Sequence, residues 1–137
     1  MYYTLRITTP KKIVFVDITQ KVEEVISKSG INSGICYLYV PHTTCGVTIN
    51  ENYDPSVVSD INNTLSRLVP KNGTYEHTEG NADAHIKTSL INSFAIIFFE
   101  NKKIILGTWQ GIFLCEFDGP RERKVYLKLF PDQISFR

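Results

Sequence analysis

The chain has 137 residues, of which 42% are hydrophobic and 12% aromatic, and this length and composition predict one domain with a single core. Its 15 Lys and Arg against 14 Asp and Glu give a net charge of +1, which argues against bulk binding of nucleic acid or of a membrane surface. No stretch approaches the roughly 18 apolar residues of a membrane-spanning helix, and three cysteines without a CxxC pair predict reduced thiols. We therefore expect a cytoplasmic protein with one domain over residues 1–137.

Strand patterns dominate the chain. Short β-branched or apolar runs predict strands at 2–8, 12–18, 34–40, 46–50, 94–99, 104–106, 112–117 and 124–129. The Thr-Pro-Lys-Lys segment at 9–12 reads as a hairpin turn between the first two strands. The runs at 34–40 and 94–99 are apolar at nearly every position, which is typical of strands covered on both faces.

Two helical patterns interrupt the strands. The first has Thr19 as its candidate N-cap and ends at Gly30, and its apolar stripe includes Val22 and Ile26. The second has Asp54 as the candidate N-cap and is stopped by the proline at position 70. These patterns predict a single α+β domain with a mainly antiparallel, β-sandwich-like sheet and two main helices.

Two polar segments contain all three histidines. His42 and Cys45 lie in the strand-to-strand corner Pro-His-Thr-Thr-Cys, where His42 is either functional or an exposed loop imidazole, and Cys45 is either structural or a nucleophile. His77 and His85 lie eight residues apart among several carboxylates, a pattern that fits metal binding or a solvated polar loop. We expect Ile86, Leu90 and Ile91 to anchor the segment after His85 in the core.

Two further segments suggest contacts with a ligand. Glycines flank Trp109 and Gln110, which predicts a tight reversal that presents an indole and an amide either to a heteroaromatic ring or to a neighbouring subunit. The segment FDGPRERK combines a Gly-Pro turn with cations that suit phosphate, although a solvated hairpin tip explains it as well. Because Arg121 belongs to the turn and Arg123 to the next strand, we expect Arg123 to be the residue held against a phosphate.

Taken in order, the segments HTTCGVTINENYDP, YEHTEG, DAHIKTSL and LGTWQGIFLCEFDGPRERKV resemble the YjbQ-like family of uncharacterised proteins, which are described as secondary thiamine-phosphate synthases. The resemblance covers nearly the whole chain. It implies a compact α+β fold that assembles as a homotrimer, with the polar motifs in a cleft near the subunit interface. It also implies that His42, His77 and His85 cluster.

The reaction implied by the resemblance joins a pyrimidine pyrophosphate to a thiazole phosphate and expels pyrophosphate. In that scheme the three histidines bind a divalent metal, for which zinc or another transition metal is better suited than magnesium. The remaining roles are as follows: Glu79 or Asp83 orients the imidazoles, Lys87 and Arg123 bind phosphate, Trp109 and Gln110 border the ring, and Cys45 is a further catalytic candidate. The partner would be a small phosphorylated metabolite.

Two alternatives remain open from the sequence. A metal-dependent hydrolase of a small phosphorylated metabolite would use three histidines and an open coordination position for an activated water. A non-catalytic trimer would use the same cleft to hold an anionic metabolite. Turnover of a phosphorylated substrate separates the first from the second.

Overall fold

The computed structural model describes residues 1–133. Its elements in chain order are β1 (Tyr3–Thr8), β2 (Val14–Asp17), α1 (Thr19–Lys28), β3 (Gly34–Tyr39), β4 (Cys45–Glu51), α2 (Pro55–Leu68), α3 (Ala82–Ile91), β5 (Phe94–Glu100), β6 (Lys103–Ile105), β7 (Gln110–Glu116) and β8 (Glu122–Pro131). The expected α+β class is confirmed, with three helices rather than two.

The strands form two antiparallel sheets. The larger sheet has the order β1-β8-β3-β5-β6, and the smaller has the order β2-β7-β4. Their facing sides, together with α1, enclose the main core, in which Leu38, Phe99 and Leu127 of the larger sheet lie with Val47 and Leu114 of the smaller. This arrangement is the predicted β-sandwich, in which alternate side chains of each strand enter the interior.

The other face of the smaller sheet is covered by helices. Phe113, Cys115 and Phe117 alternate along β7 and just beyond it, and they form a second core with Ala84 of α3 and Leu65 of α2. The molecule therefore has three layers, with the smaller sheet in the middle. This explains why β7 is buried at nearly every position, whereas β3 and β8 alternate.

The beginnings of α1 and α2 follow from local hydrogen bonds. The side chain of Asp54 accepts a hydrogen bond from the backbone N–H of Ser56 at 2.9 Å, which confirms it as the N-cap of α2. Thr19, predicted to cap α1, is instead its first residue, and its hydroxyl and N–H both donate to Asp17. Asp17 thus supplies the acceptor that an N-terminal helix turn requires.

The third helix, α3, was not predicted because its buried face is not a hydrophobic stripe. That face consists of Ala82, Asp83, Ala84, Lys87 and Thr88, a mixture of small and charged side chains. The expected anchors Ile86 and Leu90 are exposed at 39% and 60%, so this part of the prediction was wrong. Close packing of small residues against β4 and β7 holds the helix instead.

The chain crosses between the two sheets three times at one end of the sandwich. The segments at 9–13, 40–44 and 117–121 connect β1 to β2, β3 to β4 and β7 to β8. The first of these was predicted to be a hairpin turn, but β1 pairs with β8 and β2 with β7, so it is a crossover. All three crossovers carry polar residues that the core does not need.

The outer face of the larger sheet carries an apolar patch that is uncovered within residues 1–133. It exposes the following side chains by 38–60%: Tyr2, Ile35, Tyr37, Tyr39, Phe94, Ile96, Phe98, Ile105 and Phe130. The strands β3 and β5 were predicted to be covered on both faces, and this chain covers only one face of each. None of the helices in this part of the chain has the length and apolar character needed to cross a bilayer.

Candidate functional site

Backbone hydrogen bonds tie the three crossovers together. The N–H of Thr9 donates to the carbonyl of Arg121, and the N–H of Gly119 donates to the carbonyl of Lys12, both at 2.9 Å. The N–H of Phe117 donates to the carbonyl of Thr44 at 3.2 Å. Residues far apart in the sequence are thereby fixed at one rim of the sandwich, and we call this region the crossover rim.

A buried ion pair lies beneath the crossover rim. Glu116 extends inward from β7 and Arg123 inward from β8, with side chains only 0% and 3% exposed. Arg123 Nε donates to Glu116 Oε1 at 2.8 Å, and a second guanidinium nitrogen binds the other carboxylate oxygen. Thr9 donates to the same carboxylate at 2.7 Å, and Arg123 also donates to the Thr44 hydroxyl at 2.9 Å.

Hydrogen bonding decides the ionisation of this pair. Burial alone would raise the pKa of Glu116, but hydrogen bonds from Arg123, Thr9 and the backbone N–H of Asp118 lower it overall. Burial would likewise lower the pKa of Arg123, and Glu116 raises it overall. Both groups are therefore charged, and they satisfy each other.

The position of Arg123 does not support its predicted role in binding phosphate. Arg123 lies on the same face of β8 as the buried Val125 and Leu127, so the period of two directs it into the core. Its guanidinium is committed to Glu116 and Thr44. Arg121 has a side chain 51% exposed and contacts Asp118 at 3.3 Å, so it is the arginine that a ligand can reach.

His42 lies on the second crossover, and its Nε2 is already in use. The backbone N–H of Lys124 donates to that nitrogen at 2.9 Å, so a neutral His42 carries its proton on Nδ1 and retains no lone pair for a metal. Burial, followed by the positive charge of Arg123, lowers the pKa of His42. The imidazole is therefore held neutral, as an acceptor for the β8 backbone.

Cys45 does not have the environment of a nucleophile. It is fully buried at the start of β4, and burial raises the pKa of its thiol to about 12, with a further contribution from the charge of Glu116. A nucleophilic cysteine requires a lowered pKa and access to a substrate. The structure therefore does not support a catalytic role for Cys45, and the residue belongs to the core.

His77 and His85 are close together at the beginning of α3. Their ring centroids lie 5.1 Å apart, edge to face, and both side chains line a cavity of about 330 Å³ together with Tyr75, Glu76, Ala82 and Ile86. His77 Nε2 lies 2.9 Å from Asn81 Oδ1 and 3.9 Å from Glu79 Oε2. The structure therefore brings together two of the three predicted histidines, with Glu79 beside them.

The donor set in one chain does not complete the predicted metal site. Within residues 1–133, no group of three or more His, Cys, Asp or Glu side chains is arranged to hold a metal ion. His77 and His85 would supply two nitrogens, whereas His42 has its acceptor nitrogen occupied by Lys124. Three protein ligands are the usual minimum for a catalytic zinc site, so the residues present do not fit one.

Asp83 and Lys87 form a second buried charged pair, between α3 and β7. Their side chains are each 3% exposed, and Lys87 Nζ lies 3.9 Å from Asp83 Oδ2 and 5.8 Å from the centre of the Phe117 ring. No hydrogen bond within the described chain joins Asp83 to His77 or His85, so Asp83 does not orient the imidazoles. Burial lowers the pKa of Lys87, while Asp83 raises it.

Two lysines that the sequence reasoning missed lie beside this pair. Lys71 Nζ donates to the carbonyl of Gly80 at 3.2 Å. The side-chain contact with Lys71, and then the positive charge of Lys71, lower the pKa of Lys12. The pKa of Lys87 is lowered by burial and, to a smaller extent, by the charge of Lys71. Within residues 1–133 neither Lys12 nor Lys71 has a carboxylate within 4.0 Å. No short-range pattern signals this cluster, because Lys12 and Lys71 come from different segments.

Trp109 and Gln110 lie at the opposite end of β7 from Glu116, about 20 Å away along the strand. The indole is 55% exposed and packs edge to face on Tyr53 at 5.0 Å. Gln110 Oε1 accepts a hydrogen bond from the N–H of Gly107 at 2.7 Å, so its amide oxygen stabilises the turn. One subunit therefore does not place this pair beside the crossover rim.

Asn81 connects the crossover rim to the beginning of α3 through Asp118 and His77, and comparison with known proteins identifies the family. Residues 3–132 match the family model described as "UPF0047 protein YjbQ-like". The UPF0047 protein MJ1081 of Methanocaldococcus jannaschii is 52% identical over 133 residues, which cover 97% of this chain and 96% of the relative. YugU of Bacillus subtilis is 45% identical over 130 residues, 94% and 98% of the two chains.

A solved structure shows the same architecture. The crystal structure of an uncharacterised YjbQ/UPF0047 protein from Clostridium acetobutylicum superposes with a TM-score of 0.87 at 48% identity, over 95% of this chain and 99% of that chain. The chain belongs to the YjbQ-like UPF0047 family. The family is uncharacterised, and the names of these relatives do not include a thiamine-phosphate synthase activity.

Proposed function

We propose that the chain binds a small phosphorylated metabolite between the crossover rim and the N-terminal end of α3. The observation that carries this proposal is the buried ammonium group of Lys87, whose side chain is 3% exposed and whose Nζ lies 3.9 Å from the Oδ2 atom of Asp83. Lys12 and Lys71 add two further cations beside it, and neighbouring like charges favour an anion between them. A phosphate or pyrophosphate supplies that anion.

The surrounding charges favour the same ligand. Around Lys12, Lys71, Lys87 and Arg121 the neighbouring carboxylates are Asp83 and Asp118, so this part of the site has an excess of two positive charges, whereas Glu76 and Glu79 lie at its histidine end. The beginning of α3, where the Asn81 side chain makes no capping hydrogen bond, adds a partial positive charge. A phosphate monoester carries between one and two negative charges at neutral pH and matches this excess.

Lys87 provides the buried component of this site. Its ammonium group is nearly inaccessible to solvent, and its nearest carboxylate oxygen, at 3.9 Å, is beyond hydrogen-bond distance. A buried ammonium without a close acceptor is costly, so a ligand oxygen that reached it would bind more strongly than one at an exposed lysine. Lys87 and Arg121 therefore bind the phosphate, whereas Arg123 is held by Glu116.

For the reaction, we propose the synthase suggested by the family resemblance. The thiazole nitrogen forms a C–N bond to the pyrimidine methylene as the C–O bond to pyrophosphate breaks, and negative charge develops on the leaving pyrophosphate. Lys12, Lys71 and Arg121 would stabilise that charge. No step here uses a metal. A divalent ion remains a prediction for which His77 and His85 would supply two ligands.

Assembly as a homotrimer is part of the proposal. The apolar outer face of the larger sheet supports association, because soluble monomers rarely expose contiguous apolar surface of this extent. A shared site would also bring Trp109 of one subunit to the crossover rim of another, which a single chain does not do. Three buried free thiols agree with the expected cytoplasmic location.

Calorimetric titration with inorganic pyrophosphate tests the binding site directly. We expect Lys12→Met and Lys71→Met each to weaken binding roughly tenfold, since each removes one charge-assisted contact. Lys28→Met is the matched control, because it removes the same charge from the exposed last turn of α1. Equal affinities in all four proteins would contradict the site.

Turnover is tested separately by incubating the protein with a pyrimidine pyrophosphate and a thiazole phosphate. Formation of the coupled product with release of pyrophosphate supports the synthase. Release of inorganic phosphate from either substrate alone, with added zinc or manganese, favours the hydrolase alternative. Binding without product identifies a ligand-binding protein.

A further inference from the structure

A chain of hydrogen bonds runs from Asp118 to His77. Asn81 Nδ2 donates to Asp118 Oδ2 at 2.9 Å, and Asn81 Oδ1 lies 2.9 Å from His77 Nε2. Asn81 is the residue immediately before α3, and Asp118 lies on the third crossover. This chain of hydrogen bonds, from Asp118 through Asn81 to His77, connects the crossover rim to the histidine pair, and we call it the relay.

The direction of every bond in this relay is determined by chemistry. A carboxylate only accepts hydrogen bonds, so the nitrogen of the Asn81 amide must face Asp118. The amide oxygen then faces His77, and an amide oxygen also only accepts. His77 Nε2 must therefore carry a proton and donate a hydrogen bond to Asn81 Oδ1.

We propose that Asp118, acting through Asn81, is a positioning residue that holds neutral His77 as the Nε2–H tautomer and leaves Nδ1 without a proton. A ligand in the adjoining cavity that bonds to this ring must then do so through Nδ1, which accepts hydrogen bonds. The site thus recognises an O–H or N–H donor at this position, such as a hydroxyl group of the metabolite or a water. This use of Nδ1 rests on the proposed function, whereas the tautomer does not.

Asp118 is itself held in place from two directions. Its backbone N–H donates to Glu116 Oε2 at 3.0 Å, and its Oδ2 also accepts from Arg121 at 3.3 Å. Its side chain is only 15% exposed. The buried Glu116–Arg123 pair thus anchors the backbone of the residue that orients Asn81. Residues that hydrogen-bond to a histidine without touching the ligand often determine which of its ring nitrogens is available.

Nitrogen-15 NMR of the full chain, without ligand and at a pH where the imidazoles are neutral, tests the tautomer. We expect the His77 spectrum to show a protonated Nε2 and a proton-free Nδ1. His85 is the internal control, because within residues 1–133 its ring makes no hydrogen bond, and we expect it to show a mixture of tautomers. A proton on Nδ1 of His77 would overturn the proposal.

Two variants separate the relay from a purely structural role. Asp118→Asn lets the Asn81 amide rotate, so the Nδ1–H tautomer of His77 should become detectable. An unchanged single tautomer would refute the role of Asp118.

Asn81→Leu removes the acceptor of the His77 hydrogen bond, so the Nε2 proton should exchange faster with water. Asn63→Leu on α2 is the control and should leave both the tautomer and the exchange rate unchanged. Failure of pyrophosphate binding with an intact Nε2–H tautomer would reject the proposed function and leave this inference standing.

Discussion

Arg123 and Glu116 join the two sheets through a buried ion pair located where the chain crosses between them. The two lie seven positions apart in sequence, and the intervening turn brings them face to face across the interior. Thr9 donates a hydrogen bond to Glu116, and Arg123 donates one to Thr44. All three crossovers therefore meet at one carboxylate and one guanidinium. Stability and the shape of the site therefore depend on the same two residues.

Removal of Arg123 should destabilise the fold. In Arg123→Ala, Glu116 remains buried without its partner, and we expect a loss of about 3–5 kcal/mol in the free energy of unfolding, measured by urea denaturation. Arg6→Ala is the control, because Arg6 forms an exposed ion pair with Glu122 and its loss should cost under about 1 kcal/mol. Similar costs for both variants would contradict the buried pair.

Arg121 should affect binding rather than stability. Its side chain is half exposed and contacts only Asp118 among the residues described, so Arg121→Ala should retain the unfolding midpoint of the wild type. We expect its affinity for pyrophosphate to fall roughly tenfold, because a charge-assisted contact is lost. Arg67→Ala, at the end of α2, is the matched control. An Arg121→Ala variant with full affinity would place the anion elsewhere.

His42 should make stability depend on pH. Burial, and then the charge of Arg123, lower the pKa of His42 below its unfolded value. The unfolded chain therefore binds the proton first as the pH falls. The contribution of His42 is complete above about pH 6.5 and is lost as the pH falls through the folded-state pKa. His42→Gln retains an acceptor for Lys124 without titrating, so its denaturation midpoint should fall less than that of the wild type between about pH 7 and pH 5.

The three histidines should differ in their response to metal. If zinc binds to the wild-type protein, His77→Ala and His85→Ala should weaken binding, because these rings are adjacent. His42→Ala should bind as the wild type does, because Nε2 of His42 accepts from the Lys124 backbone. Calorimetry with the apo-proteins measures all four affinities. A large loss in His42→Ala alone would show that the ring leaves Lys124 to bind the metal.

The Asp83–Lys87 pair should behave as a coupled unit. Lys87→Met leaves a carboxylate buried between α3 and β7, and we expect a loss of about 3 kcal/mol in the free energy of unfolding. Asp83→Asn combined with Lys87→Met should cost less than the sum of the single changes, as a double-mutant cycle would show. Additive costs would mean that the two charges do not interact.

The local features of this fold were predictable from the sequence. Asp54 caps α2 through a residue two positions away, and the alternation of Val125 and Leu127 in β8 reflects the strand period. The same two-residue period places Arg123 on the core face, so the burial of Arg123 could have been predicted from the sequence. Its partner was not, because Glu116 belongs to a different sheet.

The site was decided by tertiary structure. Lys12 and Lys71 become neighbours, and Asn81 meets Asp118, only after the three crossovers and α3 have packed together. Composition and periodicity report whether a side chain is buried, because that depends on neighbours along the element. A buried charge or imidazole needs a specific partner within hydrogen-bond distance, and which residue lies there depends on how distant segments pack.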